Sequence, residues 1–356
     1  MSNNLNPLNE GFFYMKKIFL VLFFLFHFNF LFSQSIKGKV VDENNSPLYG
    51  VSVYFDGTTI GTTTNNEGVF EFSVNQIPNV NFVISYIGYE TVYMLSIQSP
   101  INIKLNPLEI SLKEVVLEPI PFSRKEMLTV FREHFLGRTK GGKNSVILNE
   151  EAIQFSYTAK EFKLAAFADE KIRVRNNFLG YIIEVDLIDF YILYNKKTLS
   201  NNFLSGSYFA VTSFYKEING VTKSFEKNRI SSYLGSSKHF FKNLIDKKWG
   251  KKEFVLYDGS FATDADFHFE ILDAKDMKLI RVKEKQITTN LLSTQKFFRS
   301  FNMLYNNKEQ SGIIFKTNEF YVDIFGNHSN IDQIDFSGEI SKKRFGDMLP
   351  LDFVLK

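Results

Sequence analysis

Between Ile36 and Leu105 the chain alternates apolar and polar residues in short runs, each closed by Gly, Asn or Pro. Ile36–Val41, Val51–Phe55, Val69–Val74, Phe82–Ile87, Thr91–Leu95 and Ile101–Leu105 read as strands. Successive strand side chains face opposite sides, so one side of each run can pack while the other stays wet. The separators are Asn44-Asn-Ser-Pro47, Asp56-Gly57, Asn65-Asn-Glu-Gly68, Pro78-Asn79, Gly88 and Ser99-Pro100. These residue types accept the positive or fixed φ that tight turns demand. Runs this short, with turns this frequent, predict about seven strands in two packed sheets.

The same stretch carries Gly38-Lys-Val-Val-Asp42, Pro47-Leu48, Gly50-Val-Ser-Val53, Gly57-Thr58, Gly61-Thr62, Thr64-Asn65, Glu67-Gly68, Phe70 and Ser85-Tyr-Ile-Gly-Tyr-Glu90. In these residues it resembles the carboxypeptidase regulatory-like domain, a prealbumin-like β-sandwich common in secreted and outer-membrane proteins of Bacteroidetes. The resemblance implies an accessory sandwich over residues 34–106 and brings no peptidase chemistry with it. In related outer-membrane receptors a segment like Glu114-Val-Val116 follows the sandwich and leads into a plug and a very large barrel. The 235 residues after Pro121 are too few for that arrangement, so a receptor is not expected.

Ahead of the sandwich, Met15-Lys-Lys17 opens an apolar run from Ile18 to Phe32, and Ser33 precedes Gln34. A basic start, an apolar middle and a small residue are the order of a secretory signal peptide, with residues 1–14 as an upstream extension. The run is shorter than the roughly 20 residues of a membrane span and is interrupted by His27 and Asn29. Cleavage near Ser33/Gln34 is expected, with an uncleaved N-terminal anchor as the alternative. The protein is then periplasmic or associated with the outer membrane, without a mature transmembrane helix.

Cysteine is absent, which removes disulfides, thiolate metal ligands, a cysteine nucleophile and a lipid-modified N-terminal cysteine. The net charge of +3 becomes +2 without residues 1–33, with 40 basic against 38 acidic side chains. No broad basic field is present, so nucleic acid is not an expected partner. Other cell-envelope proteins or glycans are.

At 356 residues the chain exceeds one ordinary domain. Three prolines between Asn106 and Pro121 mark residues 107–121 as an extended linker. Residues 122–356 then form a second domain. Met127, Val130, Phe131, His134 and Phe135 share a face at helical spacing, Ser123 can cap and Gly137 can end that helix. A second helix is predicted over Ser236–Asp246, with Phe240, Phe241, Leu244 and Ile245 as its stripe. Most other runs read as strands: Ile153–Thr158, Ile172–Val174, Tyr181–Tyr194, Phe209–Tyr215, Phe254–Tyr257, Phe267–Leu272, Leu279–Ile287, Ile313–Ile324 and Ile331–Ile340. An aromatic content of 16% fits pleated surfaces. The expected fold is mainly β: a seven-stranded prealbumin-like sandwich, then a β-rich α+β domain with two helices. The segments Tyr233–Phe241 and Arg344–Phe353 resemble uncharacterised Bacteroidetes proteins with the same sandwich, and that resemblance implies no activity.

The strongest metal candidate is Asp264-Ala-Asp-Phe-His-Phe-Glu270. On a strand, Asp264, Asp266, His268 and Glu270 would line one face and could bind a divalent cation. The solvated face of an edge strand explains the same alternation without a ligand and is the preferred reading. His239 and His268 are the candidates for acid-base work, yet His134, His239, His268 and His328 show no His-Glu-x-x-His pattern, zinc spacing or serine elbow. Beside the aromatic stripe, His239 is expected to be buried or capping. Lys140-Gly-Gly-Lys143 lacks phosphate-loop spacing and reads as a flexible connection, and Asn65–Gly68 reads as a hairpin turn rather than a calcium loop. No cofactor is expected, and a non-enzymatic binding or scaffolding role is favoured over a hydrolase or metal-dependent enzyme seated after residue 121.

Overall fold

In a computed structural model, which describes residues 34–75, 77–108, 120–218, 220, 222–283 and 298–355, the alternation of strand β1 (Gln34–Val41) turns Ile36, Gly38 and Val40 inward. β1 pairs antiparallel with β4 (Val69–Val74) and parallel with β7 (Ile101–Lys104), making a three-stranded sheet. β2 (Ser52–Phe55), β3 (Gly61–Thr63), β5 (Phe82–Ser85) and β6 (Val92–Met94) form a four-stranded antiparallel sheet in the order β3-β2-β5-β6. Ile36, Val40 and Phe70 from one sheet meet Val53, Phe55 and Phe82 from the other in a closed apolar core. The seven strands thus form the expected β-sandwich. At the Asn65–Gly68 turn, Asn65 Oδ1 accepts from the N–H groups of Glu67 (3.0 Å) and Val69 (2.9 Å), and Gly68 takes φ +73°. The expected signal segment, residues 1–33, and linker residues 109–119 lie outside the described residues.

The next sheet runs β8 (Ser145–Ile147), β11 (Ile172–Asn176), β12 (Tyr181–Tyr194), β10 (Lys163–Ala168), β9 (Ile153–Thr158), with β13 (Leu204–Glu217) along the other side of β12. Helix α1 (Arg124–Phe135) covers its inner face with Met127, Val130, Phe131 and Phe135. Ser123 caps α1 in a reciprocal box with Glu126, satisfying backbone donors that the first turn cannot pair itself. A third core lies under α4 (Ser237–Asp246), where Phe240, Phe241 and Leu244 pack on two further sheets. One is β15 (Phe261–Thr263), β14 (Phe254–Asp258), β18 (Arg299–Tyr305), β19 (Glu309–Phe315), β21 (Ile334–Gly338). The other is β16 (Phe269–Ala274), β17 (Met277–Val282), β20 (Glu319–Asp323).

Several details differ from the sequence reading. Two more helices occur: α2 (Lys140–Lys143) and α3 (Lys223–Tyr233). α3 buries Arg229, Ser232 and Tyr233 rather than an aliphatic stripe, so periodicity does not reveal it. α2 replaces the expected flexible connection, with Gly141 and Gly142 buried against Gly346 and Asp347. The run Ile313–Ile324 is two strands in different sheets, split where Thr317 Oγ1 bonds the backbone of Glu319.

The row Asp264–Glu270 is not one strand either. Asp264 accepts from the Asp266 N–H (2.9 Å) and starts a 3-10 turn over Ala265–Phe267. A short acidic side chain that bonds its own backbone competes with extended pairing, and here it wins. Asp264, Asp266, His268 and Glu270 therefore do not share one strand face.

A tail at residues 343–353 runs past α1, β11, α3 and α4, and its Phe345 belongs to the core under α1. Phe345 stacks on Phe135 at 4.8 Å, Thr139 donates to Asp347, and Asn176 Nδ2 donates to the Gly346 carbonyl (2.8 Å). Lys343 Nζ donates to the Ser232 carbonyl at 2.9 Å, and Lys238 Nζ to those of Pro350 (3.0 Å) and Leu351 (2.9 Å).

Candidate functional site

β12 and β13 are each 14 residues long and pair along most of their length. Alternation sends Ile183 and Val185 into the α1 core and Glu184 and Asp186 to the opposite face, beside Thr212, Phe214 and Lys216 of β13. The four-stranded sheet of the sandwich docks on that face. The Tyr54 ring stacks on Phe214 at 5.0 Å and, with Val83, makes a buried apolar cluster. Around it, Tyr54 Oη donates to Asp186 Oδ2 (3.3 Å), as does Thr212 Oγ1 (3.4 Å). Ser52 Oγ donates to Glu184 Oε2 (3.5 Å), and Lys216 Nζ meets Glu184 Oε1 at 2.5 Å. Lys171 Nζ lies 3.8 Å from Asp186 Oδ2 and 5.0 Å over the Tyr54 ring, with no hydrogen bond among the described residues.

Burial dominates the electrostatics of this seam. It raises Asp186 above the ordinary carboxylate range, against the opposing pull of Lys171, and lowers Lys171 against the pull of Asp186 and Glu184. Asp56 is pushed up to about 6 by burial, although backbone donors at Ser213 and Gly57 favour its charged form.

The main chain joins the two bodies as well. Gly57 N–H donates to the Ser213 carbonyl (2.7 Å), Tyr215 N–H to the Thr58 carbonyl (3.0 Å), and Ser213 N–H to Asp56 Oδ1 (2.8 Å). Thr58 and Phe214 are thereby paired in parallel on the outer edge of β13. The tail closes over this loop: Leu351 N–H donates to the Gly57 carbonyl (2.7 Å), and Asp352 Oδ1 accepts from Thr59 N–H (3.0 Å). Gly57 has φ +71°, which favours glycine, and a Cβ there would lie 2.7 Å from Leu351 Cδ1, so a larger residue would have to displace the Leu351 side chain. Past Thr58 the two edges separate into an open cleft of about 500 Å³, walled by Gly61, Thr62 and Thr63 on one side and Phe214, Lys216 and Glu217 on the other.

The residues singled out from sequence lie elsewhere and are held in structural bonds. Asp264 caps its turn, Asp266 pairs with Lys247 at 3.3 Å, and Glu270 lies 3.6 Å from Arg281. Among the described residues no group of three or more His, Asp or Glu side chains could hold a metal ion. His268 is buried, with Nε2 2.7 Å from Thr263 Oγ1 and Nδ1 2.8 Å from Arg299 Nη2. A guanidinium has only donors, so Nδ1 accepts and the ring proton sits on Nε2, donating to Thr263. In that tautomer His268 cannot take the Thr263 proton, and the pair is not a nucleophile with its base.

His239 Nδ1 accepts from the Gly235 N–H (3.1 Å) and Nε2 faces Glu253 at 3.3 Å. Burial lowers it to about 4 despite the Glu253 carboxylate. It is buried within an aromatic cluster, as expected from sequence, with Tyr233 at 5.0 Å and Phe254 at 5.3 Å. Sequence reasoning passed over Tyr54, Lys171 and Asp186. The only signal was a pair of acidic residues, Glu184 and Asp186, on the outer face of a long apolar strand, which announces a polar face but not its partner.

Comparison with known proteins gives one relative and one domain family. The chain is 37% identical over 103 residues to TonB-dependent receptor P39 of Formosa agariphila, a match that covers 28% of this chain and 10% of the receptor. The matched part thus spans about a tenth of the length of that curated relative. Residues 36–117 match the family model of the CarboxypepD_reg-like domain, a span that takes in the strands β2 to β7 and most of β1 of the sandwich docked on β13.

Proposed function

We propose that this is an exported cell-envelope protein whose CarboxypepD_reg-like domain serves as a non-enzymatic contact module, fixed face-on to a larger β-rich body that scaffolds it. The observation that carries the reading is the seam. A sandwich of the type shared with a TonB-dependent receptor is attached here through a stacked aromatic pair, a buried polar cluster and paired main chain. A domain held this way presents its remaining edges in fixed directions, which suits recognition by shape and lowers the ordering cost of binding. His268 and His239, the candidates for acid-base work, are committed to structural hydrogen bonds, which favours binding over turnover.

The test is to express the full chain with a C-terminal tag and fractionate the cells. Recovery with the envelope is expected, and recovery of unprocessed protein in the cytoplasm would refute export. The purified full chain should leave peptide, ester and glycan substrates intact. Turnover that disappears in His239→Ala or His268→Ala would replace the contact module with a hydrolase.

A further inference from the structure

Two strand edges that carry no further strand among the described residues face each other across the cleft beside the seam. β3 is the end strand of its sheet. The bonds Phe55 N–H to Ile60 O (2.9 Å) and Thr64 N–H to Val51 O (3.0 Å) set the ladder phase with β2. Antiparallel pairs alternate between bonded and non-bonded, so Thr62 bonds β2 while the N–H and C=O of Gly61 and Thr63 point away from it. On the other wall, Ile218 N–H donates to the Gly180 carbonyl (3.0 Å) and Tyr215 N–H to that of Thr58. Even-numbered residues of this part of β13 therefore bond β12, and the Tyr215 carbonyl and both backbone groups of Glu217 face the cleft.

The loop at Thr58 demonstrates how this edge is read. A parallel ladder beginning with Tyr215 N–H to Thr58 O would continue with Ile60 N–H to Tyr215 O. Instead Ile60 N–H turns back to Thr58 Oγ1 at 3.0 Å, and the chain peels away. What remains is a cleft whose facing walls are main-chain edges, rimmed by threonine hydroxyls and by Lys216 and Glu217. Open edges of this kind are templates for one more strand.

We propose that this cleft binds an extended peptide segment of a partner protein, which pairs by its main chain with β3 and continues along β13 the ladder that Thr58 begins. The site deepens the contact-module reading and rests on it. Specificity would come from alternate peptide side chains, and affinity mainly from backbone bonds.

The experiment selects heptapeptides from a random phage library on the full chain and measures synthetic copies by fluorescence anisotropy. Thr63→Pro removes an N–H that points away from β2, a substitution that edge positions tolerate. It is expected to weaken binding roughly tenfold or more, whereas Thr63→Ala, which keeps the backbone donor, binds as the parent does. Peptide should also slow hydrogen exchange at the Gly61, Thr63 and Glu217 amides. Failure to select any heptapeptide, equal binding by Thr63→Pro with an unchanged circular dichroism spectrum, or protection confined to other amides overturns the proposal. If the chain still fractionates with the envelope and stays inert toward substrates, the contact-module reading survives and only this site falls.

Discussion

Gly38 sits opposite Ile101 of β7, and a Cβ built there would lie 1.9 Å from the Ile101 carbonyl oxygen and 2.6 Å from the Phe70 ring. Backbone cannot give way as a flexible side chain can, so Gly38→Ala must push the parallel pair apart. A loss of about 1–3 kcal/mol is expected, read as a lower thermal midpoint with the same fold by circular dichroism. An unchanged midpoint would mean that β1 and β7 separate freely. Gly38 was visible in the sequence as part of a recognisable pattern, but its reason was not, because the atom that forbids a side chain comes from a strand more than sixty residues away. His268 teaches the same lesson: its spacing from Asp264 and Asp266 looked like a ligand row, and only the Arg299 guanidinium beside Nδ1 shows which ring nitrogen carries the proton.

Among the elements, α1 was legible from its first residue to its last turn, because the Ser123 cap, the apolar stripe and the Gly137 stop are all local. α3 was not, since its buried face is built on Arg229. Arg229 Nε donates to the Leu179 carbonyl at 2.9 Å, Nη1 meets Glu217 at 2.7 Å, and the guanidinium lies 4.1 Å over the Tyr181 ring. These contacts tie the helix to β12 and β13 beside the cleft. Arg229→Ala is expected to cost about 1.5–3 kcal/mol. Arg229→Lys should recover only part of that, because an ammonium cannot reproduce the planar fork or the stacking. Denaturant unfolding of both variants checks the order, and full recovery by lysine would show that charge alone holds α3.

At the scale of the whole molecule, buried titratable groups set opposing pH responses. Burial holds His328, packed 4.3 Å from Phe241, at about 4 instead of 6.5. The unfolded chain binds that proton first, so the stabilisation is complete above pH 6.5 and lost as the pH falls toward 4. Asp56, raised from 3.8 to about 6, acts in reverse. Its contribution is complete below pH 3.8 and lost as the pH rises through 6. Thermal melts at pH 7.5 and 4.5 should therefore separate two variants by sign. His328→Leu narrows the fall in midpoint on acidification. Asp56→Asn, which keeps an acceptor for the Ser213 N–H without the charge, raises the midpoint at pH 7.5 and widens that fall. Shifts of the same sign in both would rule out this assignment.

Taken alone, the sequence determined six of the seven sandwich strands, its turns and the helices α1 and α4, because alternation, capping and turn chemistry act over a few residues; β3, three residues long with no apolar side chain, was left out. Where those elements meet was a tertiary decision. Tyr54 and Asp186 are 132 residues apart, and Thr59 and Asp352 are 293 apart, yet each pair is joined by a hydrogen bond. A polar outward face declares only that it needs water or a partner. Which one it receives depends on the packing of three cores and of the tail that ties them, and the same packing leaves β3 and β13 facing each other across an open cleft.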